Sequence, residues 1–192
     1  RRSEPPMTTY RRGWVWFSAA LLLLAAAVVL GVMIGPAGTL SSANWNIIWN
    51  VRMPRVALAA LVGAMLSLAG ASYQGVFRNP LVDPYLLGAA GGAGLGATIV
   101  IAFGRAATSN WFVDPLPLAA FVGAIAAVTI TYLAGAAFGS MRTSTSLVLA
   151  GVAVASLTSA IQAFVLQRSS DGVISTVYNW LLGALVKASW HD

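Results

Sequence analysis

The sequence alternates long apolar runs with short polar connections. Five of these runs each come close to the ~20 residues that an α-helix needs to cross the hydrocarbon core of a bilayer. They lie near residues 14–34, 56–77, 86–103, 116–138 and 147–166. The pattern therefore predicts an all-α fold, a polytopic transmembrane helix bundle of about five spans. A tail at 1–13 precedes the bundle and a segment at 167–192 follows the last span.

Small residues recur every four positions along the second to fifth predicted spans. Such faces let helix backbones approach closely in lipid, where the hydrophobic effect does not drive helix association. The positions are Gly63, Ser67, Ala71 and Gly75; Gly88, Gly92 and Gly96; Gly123, Ala127, Thr131, Gly135 and Gly139; and Gly151, Ala155, Ser159 and Ala163. The spacing predicts a compact bundle, although chains rich in alanine and glycine also produce such repeats by chance.

Composition places most of the chain in lipid. Hydrophobic residues make up 58% of the 192 positions and charged residues only 8%, and the mean hydropathy is +0.80. A soluble domain has about 25% charged residues, so this chain cannot cover a surface in water and the lipid bilayer is its predicted environment. Cysteine is absent, which excludes disulfides, thiolate metal ligands and cysteine nucleophiles.

Positive charge is concentrated at the start of the chain. Four of the eleven basic residues precede the first apolar run, namely Arg1, Arg2, Arg11 and Arg12. By the positive-inside rule, we predict that this tail is cytoplasmic. The connections near 78–84 and 139–144 are then inside, and those near 36–55, 104–115 and 167 onward are outside. The net charge of +6 is read as a membrane-orientation signal, and no nucleic-acid partner is predicted.

The sequence offers no candidate for catalysis. The run from Gly92 to Ala97 matches the G-x-G-x-x-A form of a dinucleotide fingerprint, but that motif requires a preceding strand, and both flanks here are membrane helix. His191 is the single histidine, so neither a histidine metal site nor a Ser-His-Asp triad can be assembled. We predict a protein that is not an enzyme, with no catalytic residues, no metal site and no cofactor of its own.

A proline-rich connection joins the second and third predicted spans. It contains Arg78, Asn79, Pro80, Asp83 and Pro84, and the two prolines prevent a continuous helix. We therefore predict a tight structural turn. An arginine and an aspartate so close together could pair with each other or cap the adjoining helix ends. A carboxylate used for proton coupling is the alternative, and the position of Asp83 in a loop argues against it.

A polar segment rich in tryptophan precedes the second predicted span. Trp45 and Trp49 are four residues apart among asparagines, which suits a short interfacial helix because indole rings favour the headgroup level. Arg52 and Arg55 follow. These arginines could anchor lipid phosphates, or they could form a positive docking site for carboxylates on a soluble partner.

The stretch from Arg52 to Gly88, with its R-M-P-R and R-N-P-L-V-D-P elements, resembles the signature region of the FecCD-type permeases. That family imports iron-siderophores, haem or vitamin B12 into bacteria. Similar stretches follow in the expected order at 149–153 and 180–185, so the resemblance covers about 48–190. Because the sequence begins at Arg1 and stops at Asp192 without an obvious terminal element, we expect it to be part of a longer chain, with Met7 as the first plausible start.

The resemblance implies an ABC importer that moves an iron-siderophore or related metal chelate into the cell by alternating access. Residues 14–192 would be the N-terminal half of a permease domain of about ten spans. The expected partners are a second permease subunit, identical or different, ATPase subunits that bind ATP on the cytoplasmic face, and an extracytoplasmic substrate-binding protein. The expected location is the bacterial inner membrane, with the N-terminus in the cytoplasm.

The resemblance also assigns roles to individual residues. Arg52 and Arg55 would receive acidic side chains of the binding protein, and Ser144 and Thr145 match the position of a cytoplasmic gate.

Periodicity adds a translocation pathway on the fifth predicted span. At about 100° per residue, Thr145, Ser156 and Ser159 lie within ~60° of one another. The alternative is that these hydroxyls bond to their own helix backbone or to a neighbouring helix.

Two other classes of protein are considered. A secondary transporter is expected to carry ionisable residues inside its spans, and none lies away from the helix ends here. A structural membrane subunit fits the composition, but it gives no reason for the cluster of Arg52, Pro54 and Arg55. The sequence does not identify which chelate is carried.

Overall fold

The computed structural model describes residues 7–35, 38–39, 45–104, 114–137 and 144–183, together with residues 185, 188 and 190. The fold is all-α, as predicted. The helices are α1 (Met7–Met33), α2 (Trp45–Ile47), α3 (Met53–Phe77), α4 (Ala89–Phe103), α5 (Pro115–Ala137), α6 (Ser144–Gln167) and α7 (Asp171–Leu181). A π-helical segment, Ile48–Arg52, joins α2 to α3 without a break. After α1, two-residue strands β1 (Ile34–Gly35) and β2 (Gly38–Thr39) pair antiparallel.

Within the described residues, four helical stretches are long and apolar enough to cross a membrane. They are Gly13–Met33, Trp45–Phe77, Pro115–Ala137 and Thr145–Gln167. Their large apolar side chains are largely exposed, as in Leu22 and Phe121, which is the arrangement expected of helices that face lipid.

The third predicted span is shorter than its apolar run. Helix α4 has 15 residues, or about 22 Å at 1.5 Å per residue, against a hydrocarbon thickness of ~30 Å. The run begins at Leu86, but Leu86 to Gly88 form turns, and Gly88 has a φ of 79°. This left-handed backbone stops a helix from extending through Gly88. The membrane boundaries of all the spans remain predictions.

The chain divides into two compact units, Arg1–Gly63 with Leu185–Asp192, and Ala64–Ala184. In the second unit, α4 packs against α5 and α6. A Cβ atom at Gly92 would collide with the carbonyl oxygen of Gly123, one at Gly123 would collide with that of Gly92, and one at Gly151 would collide with that of Leu86. Small residues therefore permit backbone contact among these helices, as the spacing predicts. On α3, by contrast, a Cβ at Gly75 would meet no atom within 4 Å.

Buried hydroxyls in this unit are bonded to the backbone. The fully buried Thr131 donates from Oγ1 to the carbonyl of Leu87 at 3.0 Å, which ties α5 to the residues just before α4. Thr158 on α6 donates to the carbonyls of its own helix, at Val154 (3.0 Å) and Ala155 (2.9 Å). A buried hydroxyl without an acceptor would be unfavourable in so apolar a setting, so these bonds keep the polar positions compatible with the bundle.

The last helix of the second unit was not predicted as a separate element. Val173 and Val177 of α7 pack with Leu166 of α6, and Ile101 and Ala102 of α4 lie against this cluster. Spacing of the two valines by four residues puts them on one side of α7. The part of the segment after the last predicted span that forms α7, Asp171–Leu181, is therefore helical and packs on the bundle.

Candidate functional site

The predicted interfacial segment is continuous with the following span through a π-helical segment. Pro54 lies one residue inside α3, and a proline has no N–H to donate and a ring that clashes with the carbonyl four residues earlier. The helix widens just before it, and the Met53 N–H donates to the carbonyl of Ile48, five residues back rather than four. The π-helical segment thus accommodates Pro54 without breaking the helix.

Arg52 lies at the end of this segment and caps another helix. Its side chain is only 6% exposed, and Nη1 donates to the carbonyls of Val32 at 3.0 Å and Met33 at 3.1 Å. These carbonyls belong to the last turn of α1, where the helix supplies no donors and its dipole favours a cation. Arg55, on the first turn of α3, is half-buried. Arg52, one of the two predicted docking arginines, is thus held by hydrogen bonds to the end of α1.

The end of α3 is closed by a helix-terminating motif that includes Arg78. Arg78 has a φ of 51°, the one positive φ at a non-glycine position among the described residues. The N–H of Asn79 donates to the carbonyl of Gln74 at 3.2 Å, which is the six-to-one bond of a Schellman motif. Glycine is the usual residue at this left-handed position, so the turn is held by the contacts around it.

Side chains supply those contacts in the connection that follows. The Gln74 side chain donates from Nε2 to the carbonyl of Pro80 at 3.1 Å, and Asn79 Oδ1 accepts from the N–H of Leu81 at 3.0 Å. Asp83 Oδ1 accepts from the N–H of Tyr85 at 2.8 Å. The carboxylate therefore organises a backbone turn, and its partner Tyr85 lies before the start of α4 at Ala89 rather than at a helix end.

The predicted gate and pathway residues lie along α6. Ser144 is the first residue of the helix, and its side chain and residues 138–143 lie outside the described part. Thr145, Ser156 and Ser159 are all exposed. Ser156 also donates from Oγ to the carbonyl of Val152 at 2.8 Å, which is the backbone bond considered as the alternative. Its oxygen retains acceptor capacity towards a second partner.

The sequence patterns did not identify some polar residues inside the helices that bond to the backbone or pack against other helices. Gln74 and Thr131 bond to the backbone of the connection between α3 and α4, and half-buried Gln162 lies against Gly94, where a Cβ would be 3.3 Å from its Oε1. The available signal was the position of an amide or hydroxyl inside an apolar run, because such groups are expensive in lipid and bond within the protein.

The described residues also form a small cavity between α5 and α6. It has a volume of about 260 Å³ and is lined by Leu87, Val128, Thr129, Tyr132 and Leu147. The lining is mostly apolar, and Thr129 donates to its own helix at Ile125. Among the described residues there is no group of three His, Cys, Asp or Glu side chains that could hold a metal ion.

Long apolar helices with exposed apolar surfaces, two of which are joined by the polar turn at 78–88, define a multi-pass helical membrane protein. The family model of the FecCD transport family matches residues 15–192. The chain belongs to this family.

Curated relatives and a solved structure agree with that assignment. The chain is 39% identical over 147 residues to the ABC transporter permease protein YvrB of Bacillus subtilis, covering 76% of this chain and 40% of that protein. It is 34% identical over 188 residues to the vitamin B12 import system permease protein BtuC of Salmonella arizonae, covering 95% and 55%. A solved transporter described as metal-chelate type, in an inward-facing conformation, matches with a TM-score of 0.72 at 28% identity, covering 89% of this chain and 54% of that one. The chain thus spans about half the length of the proteins it matches.

Proposed function

We propose that this chain is the N-terminal part of the permease subunit of an ABC importer that carries a metal chelate across the bacterial inner membrane. The observation that carries the proposal is the family match over residues 15–192. The metal-chelate type of the matched structure and the vitamin B12 import named for one relative support a chelate as cargo, since vitamin B12 is itself a cobalt chelate. An iron-siderophore is the specific cargo that the signature region suggests.

The transport cycle follows from alternating access. A binding protein delivers the chelate to the outer mouth, ATPase subunits on the cytoplasmic face bind and hydrolyse ATP, and a dimer of permease subunits opens inward. This chain contributes helices to the wall of the pathway and needs no cofactor of its own.

The exposed face of α6 supports the assignment of a pathway. Thr145, Ser156 and Ser159 place small hydroxyls on one exposed side of the helix, which they share with exposed Leu149 and Val152. Leu157 and Phe164 place large apolar groups on another side, so the side with the hydroxyls is the more polar of the two. Ser144 and Thr145, at the first turn, then form the inner gate.

Docking of the binding protein is assigned to the start of α3. Arg55 is half-buried there, and its guanidinium suits bidentate bonds to a carboxylate. Arg52 sits one turn earlier and caps α1, so its charge adds to the positive potential while its position fixes the segment that presents Arg55.

The test is transport by the full-length permease, reconstituted in vesicles with its ATPase and binding protein. ATP-dependent uptake of one of three labelled chelates, a ferric siderophore, haem or cobalamin, supports the proposal. The control is the same assembly with an ATPase variant that binds but does not hydrolyse ATP. Uptake that persists in this control and follows an ion gradient would instead assign a secondary transporter, and no uptake of any chelate under ATP would leave a structural subunit.

A further inference from the structure

Three tryptophans that are distant in sequence form one aromatic cluster in the first unit. Trp45 stacks on Trp49 with ring centroids 6.5 Å apart, and Trp49 contacts Trp190 with centroids 5.5 Å apart. The three residues remain 71%, 49% and 48% exposed, respectively. Trp45, Trp49 and Trp190 are called the tryptophan cluster below. Its members contact one another while they leave a broad aromatic surface uncovered in the described structure.

Pro54 explains why Trp190 joins this cluster. In a regular helix the carbonyl of Trp49 accepts from the N–H of residue 53, but that N–H is directed to Ile48. The next donor in a π-helical pattern is residue 54, and a proline has none. The indole Nε1–H of Trp190 donates to this carbonyl at 2.7 Å. A backbone acceptor left without a helical donor is thereby satisfied, as buried and interfacial backbone groups require.

The position of Arg52 gives the depth of the cluster in the membrane. The apolar stretch of α1 ends at Met33 after 21 residues, or about 31 Å of helix, which matches the hydrocarbon thickness of ~30 Å. Arg52 bonds to the carbonyls at that end of α1, so its guanidinium marks the boundary of the hydrocarbon. Trp49 and Trp45 precede Arg52 by one and two helical turns, and therefore lie beyond the boundary by about 5–10 Å.

Helix length leads to the same depth. The continuous helical stretch Trp45–Phe77 has 33 residues, or about 50 Å, well beyond the hydrocarbon core. Part of it must leave the core, and its N-terminal end carries the asparagines at 46 and 50, bonded to each other at 3.1 Å. Indole rings, which combine a large apolar face with a polar N–H, favour this headgroup level.

We propose that the tryptophan cluster is a lipid anchor, and that its exposed aromatic surface is occupied by the headgroup and glycerol region of phospholipids on the membrane face where α1 ends. Pro54 and Trp190 build the surface, and Arg52 sets its depth. The anchor holds the docking segment level with the membrane surface. It rests on the membrane location and family in the proposed function, but not on the cargo or on which side is outside.

The test measures depth by quenching of tryptophan fluorescence in the full-length permease in lipid nanodiscs. Every other tryptophan, including Trp14, Trp16, Trp111 and Trp180, is replaced by Phe. The lipids carry bromine either near the carbonyl end or near the middle of the acyl chain. The expected result is a larger fractional loss of fluorescence with the shallow bromine than with the deep one. The matched control replaces the three cluster tryptophans by Phe and introduces Leu23→Trp at the middle of the Gly13–Met33 span, where the deep bromine should quench more than the shallow one.

Two outcomes would overturn the anchor. Complete quenching by water-soluble acrylamide, with no quenching by either brominated lipid, would place the cluster in water. In the second outcome, added binding protein removes the quenching by brominated lipid, and the quenching returns in a docking-deficient complex. This result would assign the surface to the binding protein instead. Failure of chelate uptake with shallow quenching intact would count against the proposed cargo and leave the anchor standing.

Discussion

The indole N–H of Trp190 donates to the main-chain carbonyl of Trp49 at 2.7 Å, across 141 positions of sequence. The bond forms where the helix supplies no donor, because the Met53 N–H is directed to Ile48 and Pro54 lacks the N–H that a π-helical pattern would offer. It connects the last part of this chain to the π-helical segment before α3, and it makes the contribution of Trp190 depend on the residue at position 54.

This dependence can be measured with a double-mutant cycle. Trp190→Phe keeps an aromatic ring and removes the donor, and we expect it to lower the free energy of unfolding by about 0.5–1.5 kcal/mol. In a Pro54→Ala background, residue 54 regains an N–H and the loss should be smaller. Thermal unfolding of the full-length permease in detergent gives both values. Trp45→Phe, which leaves the Trp190 bond intact, is the control, and an equal effect of Trp190→Phe in both backgrounds would show that Pro54 is not the cause.

Mutation of Arg52, just before α3, and mutation of Arg55, in its first turn, should have different effects. Arg52→Gln should destabilise the protein, by about 1.5–3 kcal/mol for bonds from a charged donor, because the last carbonyls of α1 lose their cap. Arg55→Glu should instead weaken binding of the binding protein, since a like charge then faces its carboxylates.

Binding of the partner to membranes that contain each variant, measured at low and high salt, distinguishes the two effects. Arginine introduced at the acidic residues of the partner should rescue Arg55→Glu. Wild-type affinity of Arg55→Glu at low salt, where charge pairs are strongest, would contradict docking at this position.

Backbone contact between α4 and α5 predicts an asymmetric response to alanine. Gly123→Ala places a Cβ against the carbonyl oxygen of Gly92, and the helices must separate, at an expected loss of about 1–3 kcal/mol. Gly75→Ala on α3 meets no atom within 4 Å and should be neutral or slightly stabilising, because alanine favours helix over glycine. The unfolding midpoints of the two variants provide the comparison, and equal midpoints would contradict the contact.

Bulk at the proposed inner gate should slow transport. A Ser144→Trp and Thr145→Trp double variant is expected to reduce ATP-dependent uptake while the protein still assembles, because the indoles narrow the start of the α6 pathway. Leu157→Trp, at an exposed position on another face of α6, is the matched control and should transport normally. Unchanged uptake in the double variant would remove these residues from the pathway.

Orientation can be tested directly because the chain has no cysteine. Single cysteines at positions 42, 109 and 170 should react with an impermeant thiol reagent added outside intact cells. Those at positions 3 and 140 should react only after the membrane is permeabilised, as the positive-inside rule predicts. The reverse labelling pattern would place Arg55 and the tryptophan cluster on the cytoplasmic side.

Hydrophobic pattern and turn chemistry were sufficient to predict the class of fold and most helices. Apolar runs mark where a helix can satisfy its backbone in lipid, and the two prolines after Arg78 mark where α3 stops. Local signals were weaker at α4, which starts at Ala89 rather than at Leu86 because Gly88 adopts a left-handed backbone. Local signals also did not predict α7, because its 11 residues are too few to cross a membrane.

Only the tertiary structure decided which residues meet. The sequence grouped Arg52 with Arg55 by their spacing, but the fold directs Arg52 to the end of α1, 19 and 20 residues earlier. The sequence likewise could not show that the indole N–H of Trp190 donates to the carbonyl of Trp49. Hydropathy and backbone sterics act between near neighbours and can be read along the chain, whereas the acceptor of a long side chain depends on which helix ends the packing brings within about 3 Å.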